Sequence, residues 1–108
     1  MDFVNKGATG ATATITFDFA TTRAPGGNVA TRGKTLFCAT TGTVFTSVTP
    51  EISADGTNWI AAVDEWGDVP TKLKDSFSYM VLGVNAPYFR VRGAGGDTDS
   101  ELTATIFG

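Results

Sequence analysis

The sequence predicts an all-β fold: a single antiparallel β-sandwich of about eight strands, with either a jelly-roll-like or an immunoglobulin-like topology. The main observation is period-two alternation near both ends of the 108-residue chain. Residues 12–19 place Ala13, Ile15, Phe17 and Phe19 on one face and Thr or Asp on the other, which is the pattern of a half-buried strand. Apolar residues keep helical spacing nowhere over about eleven residues without an intervening Gly, Pro or Thr, so we expect helix to be limited to a turn or two.

The remaining strands are predicted from short β-prone runs separated by turn residues. The Asp55-Gly56 pair is the strongest turn signal, because Gly adopts positive φ without steric cost. Pro50 either interrupts two neighbouring runs or lies within one continuous edge strand. After the strand over 12–19, the predicted strands are 35–40, 43–48, 51–54, 59–63, 76–81, 88–93 and 102–106.

Two stretches do not have the alternating pattern. Residues 1–11 mix Gly, Ala, Asn and Lys and are predicted to form an N-terminal arm before the sandwich domain of residues 12–108. Residues 20–34 form a loop that is too long for a simple connection, and loops of that length often have a function.

The residue inventory argues against catalysis and against bound cofactors or metals. The chain has no His and a single Cys, Cys38, which excludes Ser–His and Cys–His nucleophilic chemistry and ordinary zinc sites. The acidic groups at 64–68 and 97–101 are neighbours in turns, whereas a glycosidase needs two carboxylates that face each other across a cleft. We therefore predict no catalytic, cofactor-binding or metal-binding residues.

The charge balance narrows the partners. Eight basic and eleven acidic residues give a formal charge of −3, and the basic residues are scattered along the chain. Nucleic-acid binders usually carry a basic patch, so nucleic acid is not an expected partner. The sequence contains neither a signal-peptide pattern nor an apolar run of about 20 residues, and we expect the protein to be made in the cytoplasm without membrane attachment.

The two tryptophans are predicted to have different roles. Trp59 opens a strand directly after a turn and is expected to pack in the core. Trp66 lies in the acidic, Gly-containing loop 64–68 and is expected to be exposed, as a candidate contact for a partner.

Two motifs carry a family resemblance. The run Ser53-x-Asp55-Gly56-x-Asn58-Trp59 and the final hairpin that begins Tyr88-x-Arg90-Val91-Arg92 are similar to those of small β-sandwich proteins of tailed-phage virions. Similar turns also occur in discoidin-like and carbohydrate-binding sandwiches. The resemblance implies a structural turn with a tryptophan that anchors it in the core, formed in this chain by Asp55, Gly56, Asn58 and Trp59.

The resemblance implies a non-enzymatic virion protein, most simply a capsid decoration (cement) protein that bridges neighbouring subunits of the shell. A tail or fibre accessory protein is the alternative within this class, and a carbohydrate-binding module is the alternative outside it. The expected partners are the major capsid protein and further copies of this chain, as a homo-oligomer for which a trimer is one option. The candidate contacts lie in the arm and the long loop, together with Trp66: Phe3, Val4, Lys6, Arg23, Val29, Arg32 and Trp66.

Overall fold

The computed structural model describes residues 3–19 and 31–108. Eight strands and one short 3-10 turn, Lys72–Lys74, make up its regular structure. The strands are β1 (Phe3–Thr9), β2 (Thr14–Asp18), β3 (Thr35–Thr41), β4 (Ser47–Ser53), β5 (Ile60–Ala61), β6 (Phe77–Val81), β7 (Tyr88–Ala94) and β8 (Glu101–Phe107).

These strands form two four-stranded antiparallel sheets, which confirms the predicted β-sandwich. The first sheet has the order β1-β8-β3-β6 and the second the order β2-β7-β4-β5. Strands β1 to β4 alternate between the two sheets, and β5, β6, β7 and β8 then pair with β4, β3, β2 and β1, respectively. This pairing is the topology of a jelly roll. An immunoglobulin domain divides its strands differently, so the strand order decides between the two predicted topologies.

The core lies between the sheets and is built by the alternation that predicted the strands. In β2 the buried residues are Ile15 and Phe17, and their neighbours in sequence face outward. Phe17 and Phe89 lie opposite each other in the β2–β7 register, with ring centroids 6.1 Å apart. The largest fully buried side chains are Phe17, Phe45, Phe89, Leu36, Leu73, Leu82, Leu102, Ile106 and Val91.

The predicted N-terminal arm is wrong for residues 3–9, which form edge strand β1. Each residue from Phe3 to Thr9 pairs with a residue of β8, ending with Thr9 opposite Glu101. The residues of β1 have weak strand propensity and interrupted alternation, since Asn5 and Gly7 lie within it. Its pairing with β8, a contact that is distant in sequence, overrides this local preference.

The two runs predicted on either side of Pro50 are one strand, β4. Pro50 lies opposite Val91 of β7, and its carbonyl accepts a hydrogen bond from Ala62 N at 2.8 Å. The N and C=O of one strand residue point to the same side, so the missing N–H of Pro50 faces the two-residue strand β5 and not the long β4–β7 ladder. The strand predicted over 59–63 is correspondingly reduced to Ile60–Ala61.

Candidate functional site

The outer surface of the first sheet carries a cluster of aromatic side chains, which we call the aromatic face: Phe37, Phe77, Tyr79 and Phe107. Phe37 is at its centre, with its ring centroid 5.4 Å from Phe77, 5.7 Å from Tyr79 and 5.4 Å from Phe107. Phe77 is 68% exposed and Tyr79 is 51% exposed. The face therefore crosses three adjacent strands, β6, β3 and β8, and stays open to solvent.

The strand positions around the aromatic face are almost uncharged, and the Lys72 ammonium lies beside the face, 4.9 Å from the Tyr79 ring centroid. The outward positions of β3, β6 and β8 beside the rings hold Thr, Ala and Val, and β1 adds Asn5, Gly7 and Thr9. Glu101 is the one charged residue at an outward position of these four strands in the described chain; it lies at the end of β8, where it accepts a hydrogen bond from Thr41 Oγ at 2.7 Å. Large exposed apolar patches of this kind typically mark interaction surfaces.

A second exposed feature is the loop that carries Trp66. One carboxylate oxygen of Asp64 accepts hydrogen bonds from Trp66 N at 2.9 Å and Asp68 N at 3.0 Å. Asp64 N also donates to the Asp68 carbonyl, and Gly67 N to the Asp64 carbonyl. The loop is closed by these four bonds, and it holds the indole of Trp66 79% exposed.

A narrow groove separates the Trp66 loop from strand β6. It encloses about 110 Å³, and its lining includes Asp64, Glu65, Trp66, Lys72 and Tyr79. The ammonium of Lys72 lies 4.9 Å from the centroid of the Tyr79 ring, which is cation–π distance. Tyr79 therefore belongs both to the aromatic face and to the wall of this groove.

The outer surface of the second sheet is polar and centred on Glu51. Its Oε1 accepts hydrogen bonds from Arg90 Nε at 2.7 Å and from Arg92 Nε at 3.1 Å. Burial of the Glu51 carboxylate acts to raise its pKa, but the hydrogen bonds and charges of the two arginines outweigh it and hold the pKa below its usual value. The charges of Glu51 and Arg90 are therefore paired within the sheet, and removal of either side chain would leave its partner uncompensated.

The motif turn between β4 and β5 is organised by Asp55. One of its oxygens accepts hydrogen bonds from Thr57 N and Asn58 N, both at 2.8 Å, and the other from Asn58 Nδ2 at 2.8 Å. These bonds, with one from Ser53, hold the pKa of Asp55 well below its usual value. Gly56 has φ of 79° and a Cβ there would lie 3.5 Å from the Tyr88 ring.

Trp59 is not a core residue, contrary to the prediction. It is partly buried, and its ring stacks on Arg90, whose guanidinium carbon lies 4.2 Å from the ring centroid. The indole thus covers the Arg90–Glu51 pair on the outside of the second sheet, and the interior is filled by phenylalanines instead. The two sequence motifs are in contact here, since Trp59 belongs to the first and Arg90 to the second.

The other predicted contact residues that the structure describes are dispersed and do not form one site. Val4 and Lys6 lie on edge strand β1, where Lys6 Nζ donates to the Thr16 carbonyl at 2.8 Å across to the second sheet. Arg32 is exposed, and its backbone N donates to Asn85 Oδ1 at 2.8 Å. Trp66 is exposed as predicted, while its role as a contact stays a prediction. Phe3 begins β1, and Arg23 and Val29 lie outside the described residues.

The described residues offer little for catalysis or for metal binding. No group of three or more metal-ligating side chains comes together among them. Cys38 is buried, and burial raises the pKa of its thiol to about 12, so the nucleophilic thiolate is not formed at neutral pH. A hollow of about 280 Å³ beside the Asp55 turn is lined mainly by apolar side chains, among them Ile52, Ile60 and Pro87.

The aromatic face was not predicted from the sequence. The signal that could have found it is in β3, where Leu36 and Cys38 supply the inward positions and Phe37 and Ala39 leave the outward positions apolar as well. In β6, Phe77 and Tyr79 alternate with the buried Ser78 and Met80. Aromatic residues on the outward side of a strand are therefore the pattern to look for.

No helix in the described ranges 3–19 and 31–108 is long and apolar enough to cross a membrane. No family model and no curated protein matches the sequence. Among solved structures, the chain is similar in fold to CpGH89CBM32-6 produced by Clostridium perfringens, with a TM-score of 0.52 and 17% identity. The match covers 89% of this chain and 68% of the other. At this identity, the likeness shows a shared β-sandwich fold.

Proposed function

We propose that this chain is a non-catalytic structural protein of a tailed-phage virion, which decorates the outside of the capsid shell. The observation that carries the proposal is the aromatic face of Phe37, Phe77, Tyr79 and Phe107 on the first sheet. Aromatic side chains are enriched, and charged side chains depleted, at the centres of protein–protein interfaces. Three of the four rings are phenylalanines, which lack polar atoms, so a protein surface fits this face better than a hydroxylated ligand does.

The sequence resemblance supports the same proposal. The first motif and the opening strand of the final hairpin, which resemble those of phage β-sandwich proteins, meet on the second sheet, where Trp59 covers Arg90. This contact lies on the sheet opposite to the aromatic face, so it supports the fold and leaves the rings of the first sheet available for contact. The low proportion of charged residues, 18% of the chain, is also compatible with a surface that is partly covered in an assembly.

In this role the protein acts by adhesion. The exposed part of Phe77 would be removed from water by a shell subunit, and burying a phenylalanine side chain stabilises an interface by about 1.5–3 kcal/mol. Copies that contact neighbouring subunits would bind with avidity, so that a modest contact repeated over the shell is sufficient.

The location is tested by immunogold electron microscopy of purified particles of the virus that encodes the chain. Label on the heads supports the decoration role. Label confined to tails or fibres would favour the tail or fibre alternative, and particles that lack the protein altogether would contradict the proposal. Light scattering of the isolated protein tests the expected homo-oligomer in the same preparation.

A second candidate function is carbohydrate binding, and a different observation favours it. The rigid loop 64–68 exposes Trp66, and exposed indoles stack on sugar rings. The structural neighbour from Clostridium perfringens carries a name that denotes a carbohydrate-binding module. Titration of the protein on a glycan array tests this candidate, and the absence of any saturable binding would contradict it.

A further inference from the structure

We infer that the groove between Trp66 and Tyr79 is a binding site for a neutral saccharide. This inference rests on the carbohydrate-binding candidate and is independent of the virion role. The geometry of the loop that carries Trp66 supports this inference. Four hydrogen bonds that involve Asp64 hold the loop closed, so the 79% exposure of the indole is imposed by an ordered loop. A loop backbone that is ordered before binding loses little conformational entropy on contact with a ligand.

The second step is the anchoring of this loop to the sheet. Asp64 forms an isolated antiparallel bridge with Leu82, directly after β6, and Gly83 N donates to the Val63 carbonyl at 3.0 Å. The loop and the strand that carries Tyr79 are therefore parts of one hydrogen-bonded unit. As a result, the spacing between the two backbone segments that carry Trp66 and Tyr79 is set by the fold.

The third step is the chemistry of the groove walls. Trp66 and Tyr79 both line the groove, and the Lys72 ammonium lies over the Tyr79 ring. Asp64 and Glu65 supply carboxylate oxygens that accept hydrogen bonds, and Lys72 supplies an ammonium that donates them. A sugar ring presents an apolar C–H face for an aromatic ring and hydroxyl groups that both donate and accept.

The fourth step concerns charge and size. The two carboxylates and one ammonium leave a net charge of −1 at the groove, which disfavours phosphates and other anions. The volume of about 110 Å³ is smaller than that of a typical enclosed ligand pocket. The groove therefore accommodates one face or edge of a sugar ring, as a surface site and not as a deep pocket.

The test is tryptophan fluorescence titration of the full chain with maltose, cellobiose, lactose and chitobiose. The Trp59→Phe variant is used so that Trp66 is the sole indole, and Phe at position 59 retains an aromatic ring over Arg90. Sugar stacked on Trp66 shifts its emission to shorter wavelength in a saturable manner. We expect at least one of these sugars to do so at concentrations up to about 10 mM, tenfold above a millimolar dissociation constant.

Two variants then locate the site by isothermal titration calorimetry with the sugar that binds. Trp66→Ala and Tyr79→Ala are each expected to weaken binding by about tenfold or more. Phe77→Ser, on the same sheet but outside the groove, is expected to leave binding unchanged, and circular dichroism confirms folding of each variant. Sugar binding that survives both groove substitutions would overturn the inference while leaving the carbohydrate candidate standing. If none of the four sugars binds and the glycan array shows no saturable binding, both the saccharide site in the groove and the carbohydrate-binding candidate are contradicted.

Discussion

Asp55 is the residue that most directly links a sequence motif to stability in this chain. Its carboxylate is solvent-exposed, and hydrogen bonds from Asn58, Thr57 and Ser53 lower its pKa well below the ordinary 3.8. A carboxylate with a lowered pKa in the folded state stabilises the fold above its unfolded pKa, and this stabilisation is lost as the pH falls toward the folded pKa.

We therefore expect Asp55→Asn to lower the urea midpoint at pH 7 and to have progressively less effect below about pH 4. In the wild type, Asn58 Nδ2 donates a hydrogen bond to the second carboxylate oxygen of Asp55. The variant has an NH2 group in place of that oxygen and cannot accept this bond. Urea unfolding curves measured across this pH range provide the comparison, with Glu65→Gln as the control. A difference between Asp55→Asn and wild type that stays constant with pH would contradict this explanation.

Two aromatic residues near each other on the second sheet are predicted to differ strongly in their contribution to stability. Phe89 is fully buried against Phe17, and Phe89→Ala should cost about 3–5 kcal/mol of unfolding free energy. Trp59 lies outside the core and stacks on Arg90, so Trp59→Ala should cost about 1–2 kcal/mol. Urea denaturation at pH 7 measures both changes. Equal losses of unfolding free energy would contradict the placement of Trp59 outside the core.

At the scale of secondary structure, strand β1 is the element whose role changes most between sequence and structure. It covers the edge of β8 over seven residue pairs, and Val4 and Ala8 pack against the core. Deletion of residues 1–8 should therefore lower the melting temperature by at least about 5 °C, which corresponds to about 1 kcal/mol for a domain of this size. A melting temperature equal to that of the full chain would instead support the free arm that the sequence suggested.

The segment between β5 and β6 depends on a close backbone approach at Gly83. A Cβ at this position would lie 2.1 Å from the Asp64 carbonyl oxygen, at the base of the Trp66 loop. Gly83→Ala should displace the loop and cost about 1–3 kcal/mol, the range for overpacking. Gly7→Ala is the matched control, because its Cβ would meet the Leu102 carbonyl at 3.6 Å and Thr103 Oγ at 3.9 Å, which are ordinary contact distances. Thermal melts in which both variants behave alike would show that the approach at Gly83 carries no strain.

The predictable elements are those with strong local signals. The alternation in β2 and β8 predicted both their position and their buried faces, and Asp55-Gly56 predicted the turn after β4. Strand β1 was missed, and strand β5 was predicted to be longer than it is. The extent of both strands is defined by their pairing with other strands and not by their own residues.

At the scale of the whole molecule, the sequence left the topology open, since alternation does not show which strands are neighbours. Only the pairing of β1 with β8 and of β2 with β7 makes the sandwich a jelly roll. The aromatic face was not predicted for the same reason. Phe37, Phe77 and Phe107 are far apart in the sequence, and they form one surface only when β8, β3 and β6 lie side by side.

This organisation gives the molecule two surfaces of different character. On the second sheet, Glu51 is bonded to Arg90 and Arg92. The first sheet presents exposed rings with few charged neighbours, of which Lys72 lies against Tyr79. The central claim is that this first sheet is the surface that contacts the capsid shell.

The most direct test is add-back binding of purified protein to shells that lack it, measured by co-sedimentation. Phe77→Ser removes a ring that is 68% exposed from the aromatic face, and Ile60→Ser removes a side chain that is 67% exposed from strand β5 of the other sheet. We predict that Phe77→Ser weakens binding by about tenfold or more, while Ile60→Ser binds like the wild type and both variants keep the native circular dichroism. Wild-type binding by Phe77→Ser, or equal losses in both variants, would contradict the claim.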